Sequence, residues 1–296
     1  MKILVTGAQG QVGHAIYELA KQQYSYQLFA FTKSQLDIVN KEKINQLLAA
    51  HTPDIVINTA AYTAVDKAEQ EYELAFAINR DGVKNLAILC KQYQIPLFHI
   101  STDYIFDGTK TSPYMEEDPA SPLNIYGQSK WQGEIALREC HEQHIILRTS
   151  WIFSQFGHNF VKTILHLAQQ KKTLTIIEDQ IGCPTPATAI AETLLNMAQQ
   201  VYLGKRLWGT YHYCSDHAVS WYEFAKEIIQ QGQQFFPLVT EQVLPISTTD
   251  YPTPAMRPKY SVLNTNKLKT TYNINACSWQ KALSDIIIQI TNAVKK

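Results

Sequence analysis

Three glycines, at 7, 10 and 13, sit directly behind the apolar run Ile3 to Val5, and this placement constrains the fold more than any other feature of the chain. The run reads as a buried parallel strand that begins almost at the first residue. An amphipathic stretch from Val12 to about Gln23 follows it. Strand, glycine turn and helix in that order aim backbone N–H groups and a helix N-terminus at one point, where a pyrophosphate is received. The spacing is G-x-x-G-x-x-G. Elsewhere such a triplet signals only a tight turn; directly after an N-terminal strand it points to a dinucleotide.

Strand and helix patterns then alternate. Gln27 to Thr32 reads as strand, Asn40 to Ala50 as helix and Asp54 to Asn58 as strand. Asp66 to Tyr93 reads as one long or broken helix, and Leu97 to Ser101 as strand after the break at Pro96. Repeated units of this length predict an α/β fold, a doubly wound parallel sheet with helices on both faces. Ligands of such sheets gather at the carboxyl ends of the strands, here Thr59 to Ala61 and Ser101 with Thr102.

One loop beyond Thr102 lie Tyr126 and Lys130, which share a helix face at a spacing of four. A phenol titrates near 10 (about), so it exchanges protons poorly at neutral pH unless something favours its anion. A neighbouring ammonium does so, which makes the pair a general acid for an oxygen gaining charge. The spacing alone is weak. Tyr17/Lys21 and Tyr222/Lys226 repeat it, the first within the opening helix and the second behind Ser220, an expected N-cap, on a helix whose Trp221 and Phe224 read as packing. Context selects Tyr126.

Taken together, Thr6-Gly-x-x-Gly-x-x-Gly13, the Ser-Thr strand end and Tyr126-x-x-x-Lys130 resemble the extended short-chain dehydrogenase/reductase superfamily. Finer blocks resemble the dTDP-4-dehydrorhamnose reductase family: Asn58-Thr-Ala-Ala-Tyr-Thr-Ala-Val-Asp-Lys-Ala-Glu69, Ser101-Thr-Asp-Tyr-Ile-Phe-Asp-Gly108, Arg148-Thr-Ser-Trp151, Asn159-Phe-Val-Lys162 and Asp179-Gln-x-Gly-x-Pro-Thr185. The likeness runs from residue 1 to about 190 and resumes at Arg257-Pro258, Ser261 and Leu263. It implies a Rossmann-type fold with a smaller C-terminal substrate-binding lobe. It also implies hydride transfer from a reduced nicotinamide to the 4-keto carbon of dTDP-4-dehydro-L-rhamnose, giving dTDP-L-rhamnose for polysaccharide biosynthesis. By the same resemblance Tyr126 is the general acid, Lys130 holds the nicotinamide ribose and assists it, and Thr102 hydrogen-bonds the substrate oxygen. Two preplaced hydroxyls suit an alkoxide that develops only in the transition state.

The resemblance further implies that Gly7, Gln9, Gly10, Gln11, Val12 and Gly13 hold the cofactor, with Ala60, Ala61 and Tyr62 beside them. Asp37 and Ile38 line the adenine. Thr63, Val65, Asp103, Tyr104 and Trp151 surround the sugar, and Asn159, Gln180, Pro184 and Thr185 belong to the nucleotide-gripping region. Read as residues, Tyr104 and Trp151 equally suit core packing, and Asn159 an N-cap before Phe160. Arg257, set between Met256 and Pro258, suits a diphosphate or a surface salt bridge.

NAD-preferring sites place a carboxylate at the end of the second strand. Here that strand ends Phe29-Ala-Phe-Thr-Lys33-Ser34. Thr32, Lys33 and Ser34 can receive a 2′-phosphate, which favours NADPH, with NADH also used within the family; Lys33 equally fits a solvated surface. Family members often carry a glutamate two residues after the last glycine, in some joining a magnesium-linked dimer contact. This chain has Ala15 there, after His14, so no magnesium bridge is expected; a monomer or a homodimer is expected, the sequence favouring neither.

A net charge of zero argues against a nucleic-acid partner, and no segment reaches the ~20 apolar residues that span a bilayer. Five dispersed cysteines and a strand beginning at Lys2 suit a cytoplasmic protein with reduced thiols. Residues 1–150 are expected to form the dinucleotide-binding domain, with about 201–234 returning to it, and 151–200 and 235–296 mainly the lobe. Competing readings are a sibling ketoreductase or epimerase of another nucleotide sugar, and a non-catalytic regulatory subunit of methionine adenosyltransferase, which the same resemblance includes.

Overall fold

A computed structural model describes residues 1–22 and 26–294. The first apolar run forms strand β1, Lys2–Thr6, and the glycine turn delivers the chain into helix α1, Gln11–Lys21. The last residue of the expected helix, Gln23, lies outside the described residues. Then come β2 (Gln27–Phe31), α2 (Lys41–His51) and β3 (Ile55–Asn58). The side chain of Asn40 caps α2 by accepting from the Lys43 N–H at 2.9 Å.

The long helix expected over 66–93 is broken. It consists of α3 (Val65–Ala68), α4 (Tyr72–Phe76), a π-helical turn over Ala77–Gly82, and α5 (Val83–Gln92). The π turn has a physical reason. It swings Asn79 inward, where its side chain accepts from the Tyr62 N–H at 2.9 Å and donates to the Tyr62 carbonyl at 3.0 Å and the Ser129 hydroxyl at 2.9 Å. One amide thereby ties the loop after β3 to the helix that carries Tyr126.

Strand β4 (Leu97–Thr102), helix α6 (Ile125–Cys140) and strand β5 (His144–Thr149) complete the first half. Beyond them run β6 (Ile152–Phe153), α7 (Phe160–Ala168), β7 (Thr173–Ile177), β8 (Ile181–Gly182), β9 (Thr185–Pro186) and α8 (Ala187–Tyr202). The chain finishes with β10 (Gly209–His212), β11 (Val219–Ser220), α9 (Trp221–Gly232), β12 (Gln242–Ile246), α10 (Asn266–Tyr272) and α11 (Trp279–Val294). Ser220 caps α9 in a reciprocal box with Glu223.

Six strands form one parallel sheet in the order β10-β5-β4-β3-β1-β2. The order reverses between β1 and β3, so a crevice opens at their carboxyl ends. On one face Ile16 of α1, Ile190 and Leu194 of α8 and Tyr272 of α10 close over the sheet; on the other Ile44 and Leu48 of α2 and Leu86 of α5 do so. A separate core joins Phe153, Ile164 and Leu165 of α7, Leu174 and Ile176 of β7, Phe224 and Ile228 of α9, and Leu283 and Ile287 of α11. Packing therefore draws the lobe differently from chain order. We propose that α8, β10 and α10 go with the sheet, and that the stretches around α7, β7, α9, β12 and α11 form the lobe.

Helix α6 approaches the π turn so closely that a Cβ at Gly133 would fall on the Asn79 carbonyl oxygen. Replacing Gly133 with Ala should destabilise the fold by about 2 kcal/mol through overpacking. An unchanged denaturant midpoint would show that α6 has room to move.

Candidate active site

The crevice at the switch point holds two adjoining cavities of about 380 and 530 Å³ that share Gly10, Thr59, Ala61 and Thr63. Of the residues singled out from sequence, Gly7, Gln9, Gly10, Lys33, Asp37, Ile38, Ala60, Ala61, Tyr62 and Thr63 line the outer one. Gln11, Val12, Val65, Thr102, Asp103, Tyr104, Tyr126, Lys130, Trp151 and Asn159 line the inner one, with Gly10 and Thr63 again.

The outer cavity depends on glycine. Gly7 has φ +71°, and a Cβ there would lie 2.6 Å from the Ala60 nitrogen. The Gly10 N–H donates to the Gly7 carbonyl at 2.9 Å, closing the turn. Among the described residues no side chain caps α1, and its first turn borders the adjoining cavity through Gln11 and Val12. Exposed Lys33 lines this cavity at the end of β2. This donor set fits a dinucleotide whose ribose bears a 2′-phosphate. Thr32 stands behind it, its hydroxyl 3.0 Å from that of Ser34 and donating to Gln35.

In the inner cavity Tyr126 and Tyr104 stand edge to face at 5.8 Å, and Thr102 is within hydrogen-bond reach of the Tyr126 phenol. The close seating of α6 on this turn requires Gly127, because a Cβ there would meet the Tyr104 carbonyl oxygen. Asn124 caps α6 by accepting from the Gly127 N–H at 2.8 Å. Tyr126 thus projects from the first turn of a firmly held helix.

The electrostatics depart from the sequence argument. Lys130 is buried, and its ammonium turns into the sheet, donating to the Ile100 carbonyl at 2.6 Å with His99 Nε2 at 3.3 Å. Burial pushes Lys130 down to about 8 against the pull of Glu134. Burial also pushes the Tyr126 phenol up to about 12, although Thr102 opposes this. The phenol is therefore held protonated, as a proton donor must be, and its anion is not favoured here. The other two Tyr/Lys pairs behave as surface: Lys21 and Lys226 fold over the rings of Tyr17 and Tyr222.

Asp103 is buried beside Thr102, whose hydroxyl donates to Oδ1 at 3.2 Å, while Oδ2 has no hydrogen-bond partner among the described residues. Burial raises this carboxyl to about 7, against the opposing influence of the Ser261 and Thr102 hydroxyls. Trp151 adopts φ +46°, an outlier for a bulky residue. It is held by a parallel stack on Trp221 at 3.4 Å and by contact with Gly182, where no Cβ would fit. Trp221, read from sequence as packing, also lines the cavity.

Several expected residues have other partners. Asn159 is an N-cap, accepting from Lys162 N–H at 3.2 Å, and it also donates to Gln11 at 3.0 Å and the Ser154 carbonyl at 2.7 Å. Arg257 pairs with Asp66 at 2.8 Å and donates to the Ala255 carbonyl at 3.0 Å. Gln180, Pro184 and Thr185 are buried in the wall behind the cavity. Gln180 donates to Thr248 at 3.1 Å and Thr185 to the Cys183 carbonyl at 3.0 Å. Gly13 is buried in the turn against Gly7. His14 stacks on Phe156 at 3.8 Å. Among the described residues no helix is long and apolar enough to cross a membrane.

The family model described as RmlD substrate binding domain matches residues 1–292. A dTDP-4-dehydrorhamnose reductase of Aggregatibacter actinomycetemcomitans is 40% identical, covering 96% of this chain and 98% of its own. The crystal structure of a dTDP-4-dehydrorhamnose reductase of Clostridium acetobutylicum superposes with a TM-score of 0.91 at 36% identity, over 98% of this chain and 99% of that one. That of the Bacillus anthracis reductase in complex with NADP gives 0.89 at 36% identity, over 97% and 99%.

Burial of Asp103 predicts a pH dependence of stability. A carboxyl raised in the folded state stabilises fully below its unfolded value near 4, and that contribution is lost as pH rises through about 7. Asp103→Asn should therefore gain on the wild type between pH 4 and 7, by up to about 4 kcal/mol, and hold that gain above pH 7. A stability difference that stays constant across this window would sink the assignment.

Proposed function

The chain belongs to the dTDP-4-dehydrorhamnose reductase family, and from that premise we propose that it reduces the 4-keto group of dTDP-4-dehydro-L-rhamnose to dTDP-L-rhamnose at the expense of NADPH. The observation that carries the reading is the convergence of Thr102, Tyr126 and Lys130 on one cavity that continues into a glycine-lined cradle. NADPH, when bound, supplies the hydride.

The remaining chemistry belongs to side chains of this chain. Gly7, Gly10 and the open N-terminus of α1 hold the pyrophosphate, Ile38 and Asp37 border the adenine, and Lys33 pairs with the 2′-phosphate. Tyr126 donates to the carbonyl oxygen of the sugar, as does Thr102 once its hydroxyl turns from Asp103, and charge developing there is stabilised most when reduction is most advanced. Tyr126 Oη then gives its proton to that oxygen, and a phenol kept protonated by burial is loaded for this step. Lys130 holds the nicotinamide ribose. Tyr104, Trp151 and Val65 wall the sugar, and Trp221 behind Trp151 keeps the wall rigid. Arg257 can serve the diphosphate only in exchange for, or alongside, Asp66. Asn159 and Gln11 shape the floor, while Gln180, Pro184 and Thr185 support the nucleotide end from behind.

Two substitutions test the assignment. Tyr126→Phe should lower turnover by roughly 10²–10⁴-fold, the range of a lost general acid, with NADPH affinity nearly unchanged. Wild-type turnover in that variant would overturn the role of the phenol. Lys33→Ala should weaken NADPH more than NADH in direct binding; equal losses would remove Lys33 from the 2′-phosphate.

A further inference from the structure

Behind Lys130 runs a line of buried polar side chains that the reduction itself does not use. Thr6, Asn58 and His99 are register partners on β1, β3 and β4, so their side chains stand on one rung and on one face of the sheet. All three are completely buried, and Lys130 is nearly so. The Thr6 hydroxyl donates to Asn58 Oδ1 at 2.6 Å, Asn58 Nδ2 lies 2.9 Å from His99 Nδ1, and His99 Nε2 lies 3.3 Å from Lys130 Nζ.

The direction of this line is fixed by a backbone group. Asn58 Oδ1 also accepts from the Ala60 N–H at 3.1 Å, and an amide N–H can only donate. The atom facing Ala60 is therefore the oxygen, and the Asn58 NH₂ faces His99. Nδ1 of His99 must accept. The neutral imidazole then carries its proton on Nε2, directed at Lys130. Burial, aided by Lys130 and His144, holds the ring well below its ordinary range and thus neutral. A ring N–H facing an ammonium opposes like partial charges; facing an amine lone pair, it makes a hydrogen bond.

We propose that His99 is a positioning residue for Lys130: fixed by Asn58 with its proton on Nε2, it presents a donor to the lysine and favours the neutral amine in the free enzyme. The consequence for binding rests on the reading that Lys130 holds the nicotinamide ribose. Hydroxyl oxygens there accept from Nζ and favour the ammonium, so binding above the titration point draws in a proton. The other groups around Lys130 are Tyr126 and Glu134 on α6, Asp103 and Tyr104 after β4, and His144 and Arg148 on β5. Glu134 favours the cation, but Arg148 pairs with it at 2.8 Å.

Nitrogen-15 spectra of the free enzyme report the tautomer directly. The His99 signals should show a protonated Nε2 and a bare Nδ1; the reverse would overturn the proposal. Carbon-13 signals of lysine, with Lys130 assigned through Lys130→Met, should show it titrating near pH 8. Asn58→Leu frees the ring to turn its lone pair to Lys130 without adding charge, and should raise that titration by about one unit or more; no movement would overturn the proposal. If that variant fails to fold, the wild-type tautomer remains decisive. NADPH affinity should fall about tenfold per pH unit above the titration point. Affinity flat from pH 7 to 10, beside the expected spectra, would instead remove Lys130 from the ribose and leave the His99 assignment standing.

Discussion

The contact of the Gly7 turn with the backbone of Ala60 is the constraint on which the rest of the architecture depends. It brings the ends of β1 and β3 together where the strand order reverses, at a separation that no side chain permits. With that approach made, the N-terminus of α1 faces open space, and the loop after β3 becomes the floor of the crevice. Asn79 then pins that loop to α6, so the turn that holds one end of the crevice and the helix that carries Tyr126 are fixed to a common piece of backbone. Placement of reacting groups to within a fraction of an ångström requires such shared supports.

Much of this was legible in the chain. Apolar runs marked β1 to β4 because parallel strands are buried on both faces, and the glycine triplet marked the crevice because only glycine permits the turn at Gly7. Context singled out Tyr126 among three equally spaced pairs. What escaped depended on contacts between residues remote in sequence. Asp66 and Arg257 meet across the chain, and nothing local to either announces the other. Trp221 looked like packing because half of it is packing; the other face lines the cavity. His99 and Asn58 did leave a trace, since each is a polar residue set against an otherwise apolar strand, where an uncompensated polar group is costly. The division between the two cores left the faintest mark, because α8 and α9 are neighbours in the chain yet pack into different cores.

The inner cavity is built from both cores, and Gln11 joins them. From the first turn of α1 it accepts from Ser154 and Asn159. Helix α1 and the cap of α7 are thus joined through one side chain. Asn159 shows how a cap and a cavity wall are the same residue: its oxygen closes the helix while its nitrogen organises the loop beside the inner cavity.

Trp151 carries a different consequence. Its strained backbone, its stack on Trp221 and the bare backbone of Gly182 against its ring are three parts of one arrangement drawn from three distant stretches of chain. The three positions are coupled: a side chain at 182 displaces the ring, loss of Trp221 removes its stacked support, and a smaller residue at 151 leaves the left-handed backbone held by the Thr185 N–H alone. In evolutionary terms this wall is epistatic. Descent that reshapes this side of the cavity must alter the three positions together or leave the wall as it is.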